Sequence, residues 1–310
     1  MRVAVVDIGT NSTRLLIADV TAGRVAAELE RRSTVTRLGQ GVDHLAMLAP
    51  EAIERVFATL AAYRELIDAH GADATTAVLT SAVREARNGP SFTAEVRERF
   101  ALEARTISGD EEARLTFRGA TGERDGDHRR VVVIDVGGGS TELVAGTPGA
   151  PPDFHVSTQA GVVRHTERFL RGDPPAPAEL RALAAEAAEI FAAAVPDGVR
   201  AGIQGAIAVA GTPTSAAAML QELEPYDPAR VHGFRLTAAE IDMLLARLAG
   251  MTEAQRRTLP GLHPDRAGVM VAGLVLLAEA LRAFGLDEAE VSEHDILRGA
   301  ALDRAAAASA

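Results

Sequence analysis

Apolar, β-branched positions cluster at residues 3–7 and again from residue 131, and each cluster runs through an aspartate into a glycine turn. Val6-Asp7-Ile8-Gly9-Thr10-Asn11-Ser12-Thr13-Arg14-Leu15-Leu16 lines up with Ile134-Asp135-Val136-Gly137-Gly138-Gly139-Ser140-Thr141-Glu142-Leu143-Val144, with Asp, Gly, Ser, Thr and Leu recurring in register. Another apolar stretch follows each copy. The pattern predicts strand, tight turn, strand: a hairpin with Gly and Asn or Ser at its tip. The spacing is far wider than the roughly 20–50 residues of a solenoid repeat, so it predicts two similar domains.

Between the copies, residues 24–36 read as a third strand, and residues 50–69 as a helix with Pro50 just inside its start. Residues 76–80 form a short buried strand. Two helices flank residues 104–107, the second starting near Ser108. This alternation of strand and helix indicates an α/β layered domain. Residues 119–130 are polar and glycine-bearing and make the best linker. They divide the chain into a first domain, 1–125, and a second, 126–298. The alanine-rich end, 299–310, is expected either to return to the first domain as a closing helix or to fray. In the second domain, loops fall at 146–153 and 172–177, helices at 178–195, 237–249 and 267–284, and a short strand at 207–210 that ends in Gly211-Thr212.

Composition narrows the chemistry. The chain has 310 residues, 47% of them hydrophobic, and a formal charge of −11. That acidity argues against general nucleic-acid binding, which rests on neutralising phosphates. A polyanionic substrate would need a locally positive site made from arginine, backbone N–H groups and a metal ion. Cysteine and lysine are both absent, which removes thiolate, Schiff-base and P-loop chemistry. The N-terminus lacks the regions of a signal peptide. The longest apolar run, 267–277, is far short of the roughly 20 residues that cross a bilayer. A cytoplasmic location with no membrane partner is the expectation.

Two facing Asp-x-Gly turns can clamp phosphate through N–H groups and hydroxyls, and Asp7 or Asp135 can hold Mg²⁺ directly or through water. Glu142 stands where the first copy has Arg14, as expected if one turn serves the metal and the other the phosphate. A single such hairpin reads as ordinary turn chemistry; two favour function. In Ser108-Gly109-Asp110-Glu111-Glu112-Ala113-Arg114, Ser108 and Glu111 make a capping box, which leaves Glu112 unassigned and, on local pattern alone, solvated. Arg84, in Thr80-Ser81-Ala82-Val83-Arg84, is a candidate phosphate ligand, although a surface role is commoner. Gly211-Thr212-Pro213-Thr214-Ser215 suits an anion or a plain cap. Arg266, Arg298, Glu293 and Asp295 could be salt-bridge partners only. The histidines show no metal-ligand spacing.

Together these motifs resemble the exopolyphosphatase and guanosine pentaphosphate phosphatase group, within the actin-like, sugar kinase and Hsp70 superfamily. Asp7-Ile8-Gly9-Thr10-Asn11-Ser12, Ser81-Ala82-Val83-Arg84, the Ser108–Arg114 and Asp135–Glu142 motifs, Tyr226-Asp227-Pro228, Val231-His232-Gly233 and Arg298-Gly299 carry the resemblance over nearly the whole chain. It implies two ribonuclease H-like domains with a cleft between them. It implies Glu112 as the catalytic base, against the local reading. Asp135 and Glu142 match positions for magnesium and the lytic water. Asn11, Ser12, Arg84, Gly137, Gly138, Gly139, Ser140 and Thr141 match phosphate-binding positions. Mg²⁺, or Mn²⁺, is the implied cofactor, and a homodimer is a family precedent. Longer relatives carry further C-terminal helical domains, so shorter polyphosphate or a polyphosphorylated nucleotide is the expected substrate. The competing expectations are a guanosine pentaphosphate 5′-phosphohydrolase, an actin-like ATPase or sugar kinase, and a non-catalytic polyphosphate or alarmone sensor.

Overall fold

The protein is described from a computed structural model covering residues 1–124 and 126–309. Residue 125, the expected end of the first domain, and residue 310, the last of the expected closing helix, lie outside the described residues. The chain divides into two compact units, Met1–Glu123 with Asp295–Ala310, and Arg124–His294. The second division therefore falls at 294/295, four residues earlier than the 298/299 expected from the sequence. No described helix is long and apolar enough to cross a membrane.

Unit 1 holds a five-stranded sheet. Its strands are β1 (Arg2–Ile8), β2 (Ser12–Thr21), β3 (Arg24–Val35), β4 (Ala74–Leu79) and β5 (Ala104–Thr106), in the order β3-β2-β1-β4-β5. β1 runs antiparallel to β2 and parallel to β4. Because successive side chains leave a strand on opposite faces, a strand buried on both sides must be apolar throughout. β1 is: Ala4, Val6 and Ile8 enter one core with Val56, Leu60 and Ile67 of the helix Pro50–His70. Val3 and Val5 enter another with Leu115, Ile296, Leu297 and Ala301. The last three lie on the helix Ile296–Ser309, so the alanine-rich end is a helix that completes this unit.

That helix crosses Gly109–Thr121 at a glycine contact. A Cβ on Gly119 would lie 1.8 Å from the Asp295 carbonyl oxygen, and one on Gly299 would lie 1.8 Å from that of Leu115. Only glycine allows the two backbones so close. It also explains why the helix runs through Gly119 to Thr121, where the sequence suggested a linker.

Unit 2 holds a six-stranded sheet of β6 (Val131–Val136), β7 (Thr141–Gly146), β8 (Phe154–Thr158), β9 (Gly205–Val209), β10 (Arg235–Thr237) and β11 (Glu288–Val291), in the order β10-β11-β9-β6-β7-β8. Val132, Ile134 and Val136 share a core with Leu183 and Phe191 of the helix Pro177–Ala194 and with Leu274, Leu277 and Leu281 of Met270–Phe284. The last helix begins at Met270, not near 267, because the 3-10 turn Pro264–Arg266 precedes it. Strands β8, β10 and β11 and the helix Val162–Phe169 are additions to the elements expected from sequence. Both units are thus α/β layers built on a β-hairpin meeting a parallel strand.

Candidate functional site

The two sequence repeats fold as matching hairpins. In unit 1, Ile8 pairs with Thr13 across β1–β2, and the Gly9 N–H donates to the Ser12 carbonyl at 3.0 Å. In unit 2, Val136 pairs with Thr141 across β6–β7, and the Gly137 N–H donates to the Ser140 carbonyl at 2.9 Å. A Cβ on Gly9 or Gly137 would stand 3.1 or 3.0 Å from that same carbonyl oxygen, so both turns favour glycine at their first position.

At the unit 1 turn, Asn11 and Ser12 are half-buried. The Asn11 carbonyl accepts from the Thr36 and Arg37 N–H groups at 3.0 and 2.9 Å, which fixes the tip against the end of β3. The Thr10 hydroxyl is buried and has no hydrogen-bond partner among the described residues. Asp7 faces Arg14 across the hairpin. Its Oδ2 accepts from Arg14 Nε and Nη2 at 2.8 and 2.6 Å. Arg14 Nη1 also donates to Asp295, so one guanidinium bridges two buried carboxylates. Asp7 Oδ1 is buried and has no hydrogen-bond partner among the described residues. Burial raises the Asp7 carboxyl above its usual range against the pull of Arg14, and the Asp295 charge adds to the rise. Burial pushes Asp295 the same way, but Arg14, Arg31 and the Leu297 N–H hold it below its usual range.

Arg84 and Glu112 are brought together within unit 1. Arg84 lies on the short helix Ser81–Glu85 that follows β4, and Glu112 in the first turn of Gly109–Thr121. Arg84 Nη1 donates to Glu112 Oε2 and to the Ile107 carbonyl, both at 3.0 Å. Among the described residues, Arg84 Nε and Nη2 make no hydrogen bond. Glu112 is 7% exposed, so it is not the solvated carboxylate that the local pattern suggested. Ser108 caps the helix by accepting from the Glu111 N–H at 3.1 Å, but the Glu111 side chain pairs with Arg105. The expected capping box is therefore half formed. No hydrogen bond or ion pair among the described residues joins Asn11 or Ser12 to Arg84 or Glu112.

In unit 2, the glycine turn and both acidic candidates sit on one hairpin. Asp135 and Glu142 are directly opposed cross-strand partners and are 8% and 1% exposed. Ser157 on β8 donates to Glu142 Oε1 at 2.7 Å. The N–H groups of Gly138, Gly139 and Ser140 make no hydrogen bond among the described residues, which leaves three donors on one turn for an anion. The Thr141 hydroxyl donates to the Ala160 carbonyl, so it is committed to the fold. Two residues that the sequence gave no reason to select hold this turn from behind. A Cβ on Gly161 would meet the Gly139 carbonyl carbon at 2.3 Å, and Arg164 Nε donates to the Gly139 carbonyl at 2.9 Å. Burial lowers the pKa of Arg164. Their only sequence signal is a glycine followed by an arginine at a helix start, which is too common to read.

The donors present suit a hard divalent cation in type. In unit 2, Asp135 and Glu142 offer carboxylate oxygens; in unit 1, Asp7 Oδ1 has no hydrogen-bond partner among the described residues. No group of three His, Cys, Asp or Glu placed to hold a metal occurs among the described residues. A pair of carboxylates is the kind of donor set that Mg²⁺ commonly uses, with water and substrate phosphate completing the shell.

Two α/β units of this topology, each opening on an Asp-x-Gly hairpin, define a protein of two actin-like domains. Residues 16–305 match the sequence model of the Ppx/GppA phosphatase family. Exopolyphosphatase 2 of Mycobacterium tuberculosis is 41% identical over 319 aligned positions, covering 98% of each chain. The crystal structure of an exopolyphosphatase-like protein superposes with a TM-score of 0.92 at 34% identity, over 99% of this chain and 100% of that one. A Ppx/GppA family member from Aquifex aeolicus superposes with a TM-score of 0.83 at 28% identity, over 100% and 99%. The chain belongs to the Ppx/GppA phosphatase family and is an enzyme of the hydrolase class.

Proposed function

We propose that this protein is an exopolyphosphatase that hydrolyses the terminal phosphoanhydride bond of inorganic polyphosphate and releases orthophosphate. The observation that carries the reading is the 3.0 Å contact between Glu112 and Arg84, which sets a carboxylate beside a guanidinium with two uncommitted N–H edges. The relative named exopolyphosphatase at 41% identity supports the substrate class.

Water attacks the terminal phosphorus in line with the bridging oxygen. Glu112 orients that water and accepts its proton as the new P–O bond forms and the bridging P–O bond breaks. In unit 1, Arg84 Nε and Nη2 face phosphoryl oxygens and Asn11 and Ser12 bind substrate phosphate; in unit 2, the Gly138, Gly139 and Ser140 N–H groups are the phosphate donors. Phosphoryl transfer is catalysed chiefly by this kind of positioning and charge stabilisation. Asp135 and Glu142 are the residues that would hold a Mg²⁺ or Mn²⁺ ion in unit 2, and Asp7 is the carboxylate that unit 1 would offer; such an ion would supply positive charge against the substrate phosphates.

The test is phosphate release from short and long polyphosphate, guanosine pentaphosphate and ATP, with and without Mg²⁺. Release from polyphosphate that needs both Mg²⁺ and Glu112 is expected. Release from the guanosine substrate alone would move the assignment to a nucleotide phosphatase, and release from none would move it to a sensor.

A further inference from the structure

Unit 1 carries a concavity lined by none of the residues assigned above to substrate, metal or proton transfer. It has a volume of about 590 Å³ and lies at the edge strand β5, against the helices Gly89–Phe100 and Ile296–Ser309. Small-molecule sites commonly fall between roughly 300 and 1,000 Å³. Three guanidinium groups line it, those of Arg97, Arg105 and Arg304, in a chain whose formal charge is −11.

The carboxylates in the same wall are already engaged. Glu103 accepts from Arg304 Nη2 at 3.1 Å. Asp303 pairs with Arg114 and Arg118 at 3.1 and 3.2 Å. Arg105 pairs with Glu111. Two donors remain without an acceptor. Arg97 is anchored by its Nε, which donates to the Ala104 carbonyl at 2.5 Å, and among the described residues its Nη groups meet no carboxylate. Arg304 Nε is buried and has no hydrogen-bond partner. That nitrogen has no accessible surface, so a ligand would meet Arg304 through the rest of its side chain, which is 24% exposed. Anchored in this way, Arg97 presents a planar fork, the geometry that grips a phosphate oxygen pair. The floor is apolar: Leu102, Ala104 and Ala300 are 4%, 2% and 2% exposed.

We infer that this concavity is a second binding site, taking a small phosphate-bearing molecule whose phosphate meets Arg97 and Arg304 and whose apolar body lies on Leu102, Ala104 and Ala300. It is independent of the polyphosphate reading, since Arg97 touches no residue assigned to hydrolysis.

Phenylphosphonate is the probe, because it joins a phosphate-like dianion to an apolar ring through a P–C bond that a phosphoanhydride hydrolase does not cleave. Hydrogen exchange of the full chain locates binding. The expected result is protection of peptides covering residues 97–105 and 300–307, with at least a tenfold loss of affinity in Arg97→Ala. Arg97 is exposed, and the variant, which loses one hydrogen bond to the Ala104 carbonyl, is expected to stay folded and keep the wild-type rate of phosphate release. Absence of protection in these two segments at millimolar probe, or unchanged protection in Arg97→Ala, would overturn the proposal. So would equal protection by benzoate, which carries the ring without the phosphate.

Discussion

Asp135 lies directly across its hairpin from Glu142, at the register position where Asp7 faces Arg14 in the other unit. One hairpin thus sets acid against base and the other sets acid against acid. Like charges directly opposed on a sheet are destabilising, so the second pair carries a cost that the first does not. Glu142→Gln is expected to melt at or above the wild-type temperature without metal, and to lose both the Mg²⁺-induced rise in melting temperature and Mg²⁺-dependent phosphate release. A variant that melts well below wild type without metal would show that the carboxylate serves the fold, through Ser157, rather than a cation.

Glu112→Gln removes the proposed base and keeps the shape of the side chain. Turnover is expected to fall by about 10²–10⁴-fold, the usual contribution of a general base, with substrate affinity kept. Steady-state phosphate release combined with equilibrium binding separates the two effects. Wild-type turnover would assign the proton to another group.

Arg14 bridges Asp7 and Asp295, and its side chain is only 16% exposed. Removing one partner of a buried ionic group costs about 3–5 kcal/mol, because the remaining charge is left without compensation. Arg14→Ala should lose stability of that order in urea unfolding. Adding Asp295→Asn should restore part of it, since one of the two stranded charges is then gone.

Gly299→Ala places a methyl group where the Leu115 carbonyl oxygen already stands. Overpacking a tight contact costs about 1–3 kcal/mol and sometimes more. Chemical denaturation should show a loss in this range or above, and Gly299→Ser a larger one. An unaffected midpoint would mean that the two helices separate at little cost.

How far the sequence revealed this molecule depended on whether a residue acts through near or distant neighbours. The hairpins were legible because Asp7 and Asp135, Gly9 and Gly137, and the alternating apolar positions around them all lie within one local repeat. Glu112 is not legible locally: Ser108 and Glu111 give an adequate capping account, and the role proposed for Glu112 rests on family resemblance. Its pairing with Arg84, 28 positions away, is a tertiary fact. Gly161 and Arg164 support the turn at residues 137–140 from more than twenty positions downstream. β11 is only four residues long and carries two glutamates, too little pattern to be distinguished from a loop.

His165 gives a pH-dependent prediction with a definite sign. The ring is fully buried, its Nδ1 lies 3.2 Å from the Gly161 carbonyl oxygen, and its Nε2 lies 3.5 Å from Glu186. Burial lowers its pKa although Glu186 pulls it up. The folded state therefore holds the ring proton less tightly than the unfolded chain, where the ring has its ordinary pKa of about 6.5. Its contribution to stability is complete above that value and declines as pH falls below it, because the unfolded chain then binds the extra proton. The drop in melting temperature between pH 7.5 and pH 5.5 should be smaller in His165→Gln than in wild type; an equal drop would assign the acid sensitivity to carboxylates.

The return of the helix Ile296–Ser309 to the first sheet has a consequence for biosynthesis. Val3, Val5, Leu16 and Ala18 complete their core only with Ile296, Leu297, Ala300 and Ala301, so one apolar face of the earliest strands stays uncovered until residues 124–294 have been added. Domains generally fold in the order in which they are translated. Here the order is inverted: the continuous unit 2 can close while the nascent chain is still growing, and the portion that leaves the ribosome first is finished last.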